Sequence, residues 1–126
     1  IYSLKKKLFG NKKINILILG VTFKENISDI RNSQIIKILK MMKRSDFNIS
    51  IYDPHVKKND KFLEKKVKYL KSLNKKSFFD AIFLGTQHKK ILKIGGKKIK
   101  SFCKKKSFIY DLKSSLDEKY IDASLY

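Results

Sequence analysis

The sequence is short of the residues that build several kinds of site. Cys103 is the one cysteine, so no internal disulfide and no zinc centre of cysteines can form, and a reducing cytoplasm suits it. Histidine is confined to His55 and His88, too few and too scattered for a metal site, so no metal is expected. No apolar run approaches the roughly 20 residues that span a bilayer; the longest is interrupted by Asn15 and ends at Gly20. A soluble protein without a membrane partner is expected, and the opening segment has no signal-peptide layout. Neither G-x-G-x-x-G nor G-x-x-x-x-G-K-[ST] occurs, which excludes a standard dinucleotide loop and a P-loop. No internal repeat is visible.

Arginine is scarce in a chain that is otherwise very basic. The formal charge is +20, yet of 31 basic residues only Arg31 and Arg44 are arginine. Surfaces that read bases or clamp phosphates favour the planar, bidentate guanidinium. Lysine spread along the whole chain among Ile and Asn looks like compositional bias rather than a dedicated polyanion surface. Non-specific polyanion binding at low salt is still expected of such a charge. The lysine runs at 5–7, 75–76 and 104–106 read as solvated surface at element boundaries.

What is present reads as one α/β domain, since 126 residues with 42% apolar content suit a single core. Residues 1–13 resemble the end of a linker helix arriving from an upstream domain, and residues 14–126 read as the C-terminal domain itself. Ile14 to Leu19 is a β-branched run of the kind found in buried parallel strands. Ile35, Ile36, Leu39 and Met42 recur at helical spacing, so Ser33 to Arg44 reads as a helix capped by Asn32 or Ser33. Phe47 to Tyr52 alternates as a strand that Asp53-Pro54 stops.

Beyond it, a short helix is expected over 60–66, an edge strand over 67–70, and helix or loop over 72–79. A third strand is expected over 81–84, helix over 91–103 interrupted by Gly95-Gly96, a fourth strand over 108–110, and an irregular tail from Leu112. The alternation predicts a Rossmann-like, mostly parallel sheet with helices on both faces, a three-layer sandwich.

Ligands of open α/β sheets bind beyond the carboxyl ends of the strands. Those ends carry Gly20 to Arg31, Tyr52 to His55, Gly85 to His88 and Asp111 to Ser114. The first is the most informative: Gly20 permits a sharp exit, and the loop holds a lysine and an arginine ahead of a helix N-terminus that favours anions. A diphosphate suits that arrangement. Asp53 sits where Rossmann folds hold a ribose-binding acid, but a turn residue before Pro54 is the favoured reading. Cys103, placed in a helical stretch away from the strand ends, is not expected to be catalytic.

The stretch ILGVTFKENISDIRNS closely resembles the motif opening the C-terminal domain of the UDP-glucose/GDP-mannose dehydrogenase family: strand, G-x-x-F-K, then D-x-R-x-S before a helix. Ile51-Tyr52-Asp53-Pro54, Asp80 to Leu84 and Ile109-Tyr110-Asp111 follow in matching order. The resemblance implies a nucleotide-sugar-binding domain of an NAD-dependent UDP-sugar 6-dehydrogenase, which oxidises a C6 alcohol to a carboxylate for acidic polysaccharide synthesis. It implies that NAD is held mainly by an upstream Rossmann domain, that the catalytic cysteine also lies upstream, and that the full-length enzyme is a cytoplasmic homo-oligomer. No catalytic residue then lies in this chain.

By position, Phe23 and Lys24 match a pair that touches the UDP-sugar, Arg31 an arginine reaching NAD, and Asp29 with Gly20 the residues that shape the loop. His88 is a candidate for lining the sugar pocket. Family members of the UDP-glucose branch carry D-G-R-R after the last strand where this chain has Asp111-Leu112-Lys113-Ser114; Lys113 is the candidate substitute for the substrate arginine. The wording of the first motif and Thr86-Gln87-His88 lean toward UDP-N-acetylhexosamine. Two other readings stand beside this one: a lysine-rich polyanion-binding module on a Rossmann-like fold, and a structural domain that lost its site.

Overall fold

A computed structural model describes residues 2–21, 34–42, 45–55, 67–86, 88–111 and 123–124. Its element order is α1 (Tyr2–Phe9), β1 (Ile14–Leu19), α2 (Gln34–Met41), β2 (Phe47–Tyr52), β3 (Lys68–Tyr69), β4 (Phe79–Leu84), α3 (Lys89–Leu92), α4 (Gly96–Ser101), β5 (Cys103–Asp111) and β6 (Ala123–Ser124).

The strands form a six-stranded sheet in the order β3-β2-β1-β4-β5-β6. Every pairing is parallel. This is the doubly wound order, and the direction of winding reverses between β1 and β4. The central strands explain why both faces must be covered. β4 is buried at all six positions and β1 at all but Asn15.

On one face Ile14, Ile16, Ile18, Phe47, Ile49, Ile51, Phe83 and Phe108 pack with Leu39 and Met42 of the α2 region and with Leu8 and Phe9 of α1. On the other, Leu17, Leu19, Ile82, Leu84 and Ile109 pack with Ile91 of α3, Ile99 of α4 and Phe102. Burying one such side chain contributes about 1.5–3 kcal/mol, so the two apolar layers dominate the stability of the fold. The expected three-layer architecture is the one observed.

Four local expectations need correction. Cys103 is not helical: α4 stops at Ser101, and Cys103 opens β5 as a buried residue. The lysines at 104–106 do not lie at an element boundary but inside β5. Phe79 pairs with Cys103 and Ala81 with Phe108, so β5 advances five residues while β4 advances two. The surplus segment is a bulge whose lysines need not pack, because Lys105 and Lys106 are exposed. The tail is not wholly irregular, because Ala123 and Ser124 pair with Tyr110 and Asp111. The stretch 72–78 is loop, and β4 begins two residues early, at Phe79. The helix expected over 60–66 lies outside the described residues.

Candidate functional site at the carboxyl edge of the sheet

The exits of β1, β2 and β4 meet at one point, and backbone geometry brings them there. Leu19 and Gly20 accept hydrogen bonds from the N–H groups of Gly85 (2.9 Å) and Thr86 (3.3 Å), while the Gly20 N–H donates to Tyr52 O at 3.0 Å. Gly20 has φ +86°, a left-handed conformation that glycine adopts without strain. A Cβ there would stand 2.4 Å from the Thr86 carbonyl oxygen and 2.7 Å from its nitrogen. Glycine is therefore required twice over, by conformation and by contact.

Asp53 joins the three exits. Its Oδ2 accepts the Val21 N–H at 2.7 Å, and its Oδ1 accepts the His55 N–H at 2.8 Å, a local turn that Pro54 prearranges. His88 Nε2 lies 3.0 Å from the same Oδ2, with both side chains 0% exposed. In the tautomer that carries its hydrogen on Nε2, the ring donates and the carboxylate oxygen accepts.

His88 also begins α3: its backbone is extended (φ −62°, ψ 141°), and its carbonyl accepts the N–H groups of Ile91 and Leu92 at 3.0 Å. The His55 ring sits 4.4 Å from the His88 ring, tilted by 44°. Burial, then the neighbouring His88, lowers the pKa of His55, with Asp53 opposing. Asp111, fully buried, closes the edge at the end of β5, in register with Leu84 and Ser124.

Beside this junction a cavity of about 400 Å³ opens between the ends of β2 and β3, lined by Tyr52, Asp53, Pro54, Tyr69 and Lys71 among others. It offers two aromatic rings and a cation. A depression of about 420 Å³ lies toward the opposite end of the strands, near Lys13, Asn48 and Lys75. Parallel sheets present ligands to their carboxyl ends, so the cleft beside Asp53 is the better candidate site. Among the described residues no group of three His, Cys, Asp or Glu is placed to hold a metal ion.

Of the residues singled out from the sequence, Gly20 and His88 come together here. Phe23, Lys24, Asp29, Arg31 and Lys113 lie outside the described residues. Sequence reasoning missed the part played by Asp53, taken above for a turn residue. It does make the turn, and it also bonds to Val21 and His88, which are 32 and 35 positions away. Cys103 stands at the opposite end of the sheet.

Comparison with known proteins settles the affiliation. Residues 17–118 match the UDP binding domain of the UDP-glucose/GDP-mannose dehydrogenase family. The chain belongs to that family. It is 34% identical over 125 residues to the UDP-N-acetyl-D-glucosamine 6-dehydrogenase of Salmonella typhi, covering 99% of this chain and 29% of that protein. The same-named enzyme of Pseudomonas aeruginosa is 29% identical over 110 residues, covering 87% of this chain and 26% of its own.

Among solved structures, the UDP-D-ManNAc dehydrogenase of Pyrococcus horikoshii superposes with a TM-score of 0.65 at 25% identity, covering 93% of this chain and 26% of the other. A UDP-glucose dehydrogenase from Pyrobaculum islandicum, at 15% identity and TM-score 0.67 over 98% of this chain and 27% of its own, shares the fold. The chain thus spans less than a third of the length of these family members.

Proposed function

We propose that this chain is the nucleotide-sugar-binding domain of an NAD-dependent UDP-N-acetylhexosamine 6-dehydrogenase. The observation that carries the reading is positional. The family's G-x-x-F-K…D-x-R-x-S segment departs from β1 at the point where the sheet reverses its winding, which is where doubly wound folds take their ligands. Lys24 supplies a positive charge to the diphosphate, Phe23 packs beside the nucleotide sugar, and Lys113 takes the place of the family's substrate arginine as a point charge. Asp29 and Gly20 shape the loop.

NAD is the hydride acceptor of the reaction. The chain lacks a dinucleotide fingerprint, so the cofactor belongs mainly to upstream domains, with Arg31 reaching toward it. The same reading places the catalytic cysteine upstream, makes residues 1–13 the end of the linker helix, and makes the full-length enzyme a cytoplasmic homo-oligomer. No described helix is long and apolar enough to cross a membrane. Family membership favours this reading over a polyanion-binding module and over a domain that lost its site.

The test is turnover by the complete protein that carries this chain, with NAD and either UDP-N-acetylglucosamine or UDP-glucose. NADH formation with the N-acetylated sugar, reduced about 10-fold or more by Lys24→Ala, is expected from the loss of one charge-assisted bond. No turnover with any UDP-sugar would overturn the proposal.

A further inference from the structure

We propose that Asp53 and His88 are a positioning pair that fixes the start of the nucleotide-binding segment before any ligand arrives. The inference rests on the reading above that UDP binds at this edge. Neither side chain has exposed surface to offer a ligand, since both are 0% accessible. Their action must therefore pass through what they hold.

What they hold is the backbone of Val21, one peptide bond before the segment that begins at Thr22 and carries Phe23 and Lys24. Up to Gly20, strand pairing fixes the chain: Gly85, Thr86 and Tyr52 all bond to Leu19 or Gly20 through their main chains. One residue later the Asp53 carboxylate continues that grip, with the Val21 N–H at 2.7 Å.

His88 secures the carboxylate from the other side of the switch point. It donates to the same Oδ2 that receives Val21, and as the first residue of the α3 turn its own backbone is locked. A buried carboxylate is stable only while its donors surround it. Removing the His88 donor takes away one of the hydrogen bonds that fix Oδ2 in place, and the grip on Val21 loosens with it. The pair therefore converts the packing of α3 into the position of the β1 exit. This assigns His88 a place behind the pocket wall rather than on it, and Asp53 a role beyond its turn.

The experiment measures UDP binding by calorimetry on the complete protein, alongside its melting temperature, for wild type, His88→Leu, His88→Gln and Lys24→Ala. Leucine removes the donor, whereas the glutamine amide reaches about as far as Nε2 and restores it. For His88→Leu, assayed well below its melting point, Kd for UDP should rise about 10-fold, with His88→Gln within about threefold of wild type.

A merely structural role would lower the melting temperature and leave Kd in the folded protein unchanged. That result, or failure of glutamine to rescue, overturns the proposal. If Lys24→Ala also leaves Kd unchanged, the nucleotide reading itself fails; if Lys24→Ala weakens binding and His88→Leu does not, only the positioning role fails. Hydrogen exchange at the wild-type Val21 amide gives a test that needs no variant. Protection already present without UDP is expected, and protection that appears only on adding UDP contradicts it.

Discussion

The two ends of β1 are gripped in the same way and secured differently. At the amino end Asp80 Oδ2 accepts the Asn15 N–H at 2.8 Å; at the carboxyl end Asp53 Oδ2 accepts the Val21 N–H at 2.7 Å. Each carboxylate also has a cationic or potentially cationic partner. For Asp80 it is Lys104 at 3.3 Å, 42% exposed and carried on the β5 bulge. For Asp53 it is His88, wholly buried at the start of a helix.

A lysine in water holds its partner loosely and can be replaced by solvent, whereas a buried imidazole cannot. Both carboxylates are buried, at 4% and 0% exposure, so the difference lies in the partner: a half-exposed lysine at one edge and a buried imidazole at the other. The imidazole stands at the edge proposed above for UDP.

Substitutions sharpen that contrast, the largest effect coming from the junction itself. Gly20→Ala combines a left-handed backbone with a 2.4 Å approach to the Thr86 carbonyl, so urea denaturation should show a loss of about 3–5 kcal/mol or no folded protein. Asp53→Ala leaves two backbone N–H groups and His88 without that carboxylate, and about 2–4 kcal/mol should be lost. Asp80→Ala should cost less, about 1–2 kcal/mol, because it strands one backbone N–H and leaves a lysine that is already 42% exposed. Comparable losses for Asp53→Ala and Asp80→Ala would erase the distinction between the two edges.

A double-mutant cycle on Asp80 and Lys104 should return a coupling of only about 0.2–1 kcal/mol. The smallest effect is one of pH. Because the folded state lowers the pKa of His55 below 6.5, the unfolded chain binds more protons there, so this contribution costs stability as pH falls through about 6.5 and levels off below the folded pKa. Stability curves of wild type and His55→Gln should converge at high pH and part slightly under acid conditions.

The sheet was legible in the sequence wherever burial acts on both faces. Ile14 to Leu19 and Ala81 to Leu84 are apolar runs because they lie at the centre, and α2 shows its packed face through Leu39 and Met42. Reading failed where register rather than composition decides. Nothing in Cys-Lys-Lys-Lys-Ser marks a strand, since the bulge exempts those lysines from packing, and Cys103 was assigned to the helix preceding it. Two-residue β6 is too short to carry a pattern.

At the site, Gly20 and the loop after it stood out through local motif and spacing. The partnership of Asp53 with Val21 and His88 did not, because only the doubly wound topology brings three strand exits to one point.

Amide NMR during titration with UDP at physiological salt distinguishes a ligand site at the carboxyl edge from one at the lysine-rich amino edge. Saturable shifts centred on Gly20, Val21, Asp53, His55, Thr86 and His88, lost in Lys24→Ala, are expected. Shifts confined to Lys13, Lys75 and Lys104 to Lys106, and fading as salt is raised, would contradict a site at the carboxyl edge.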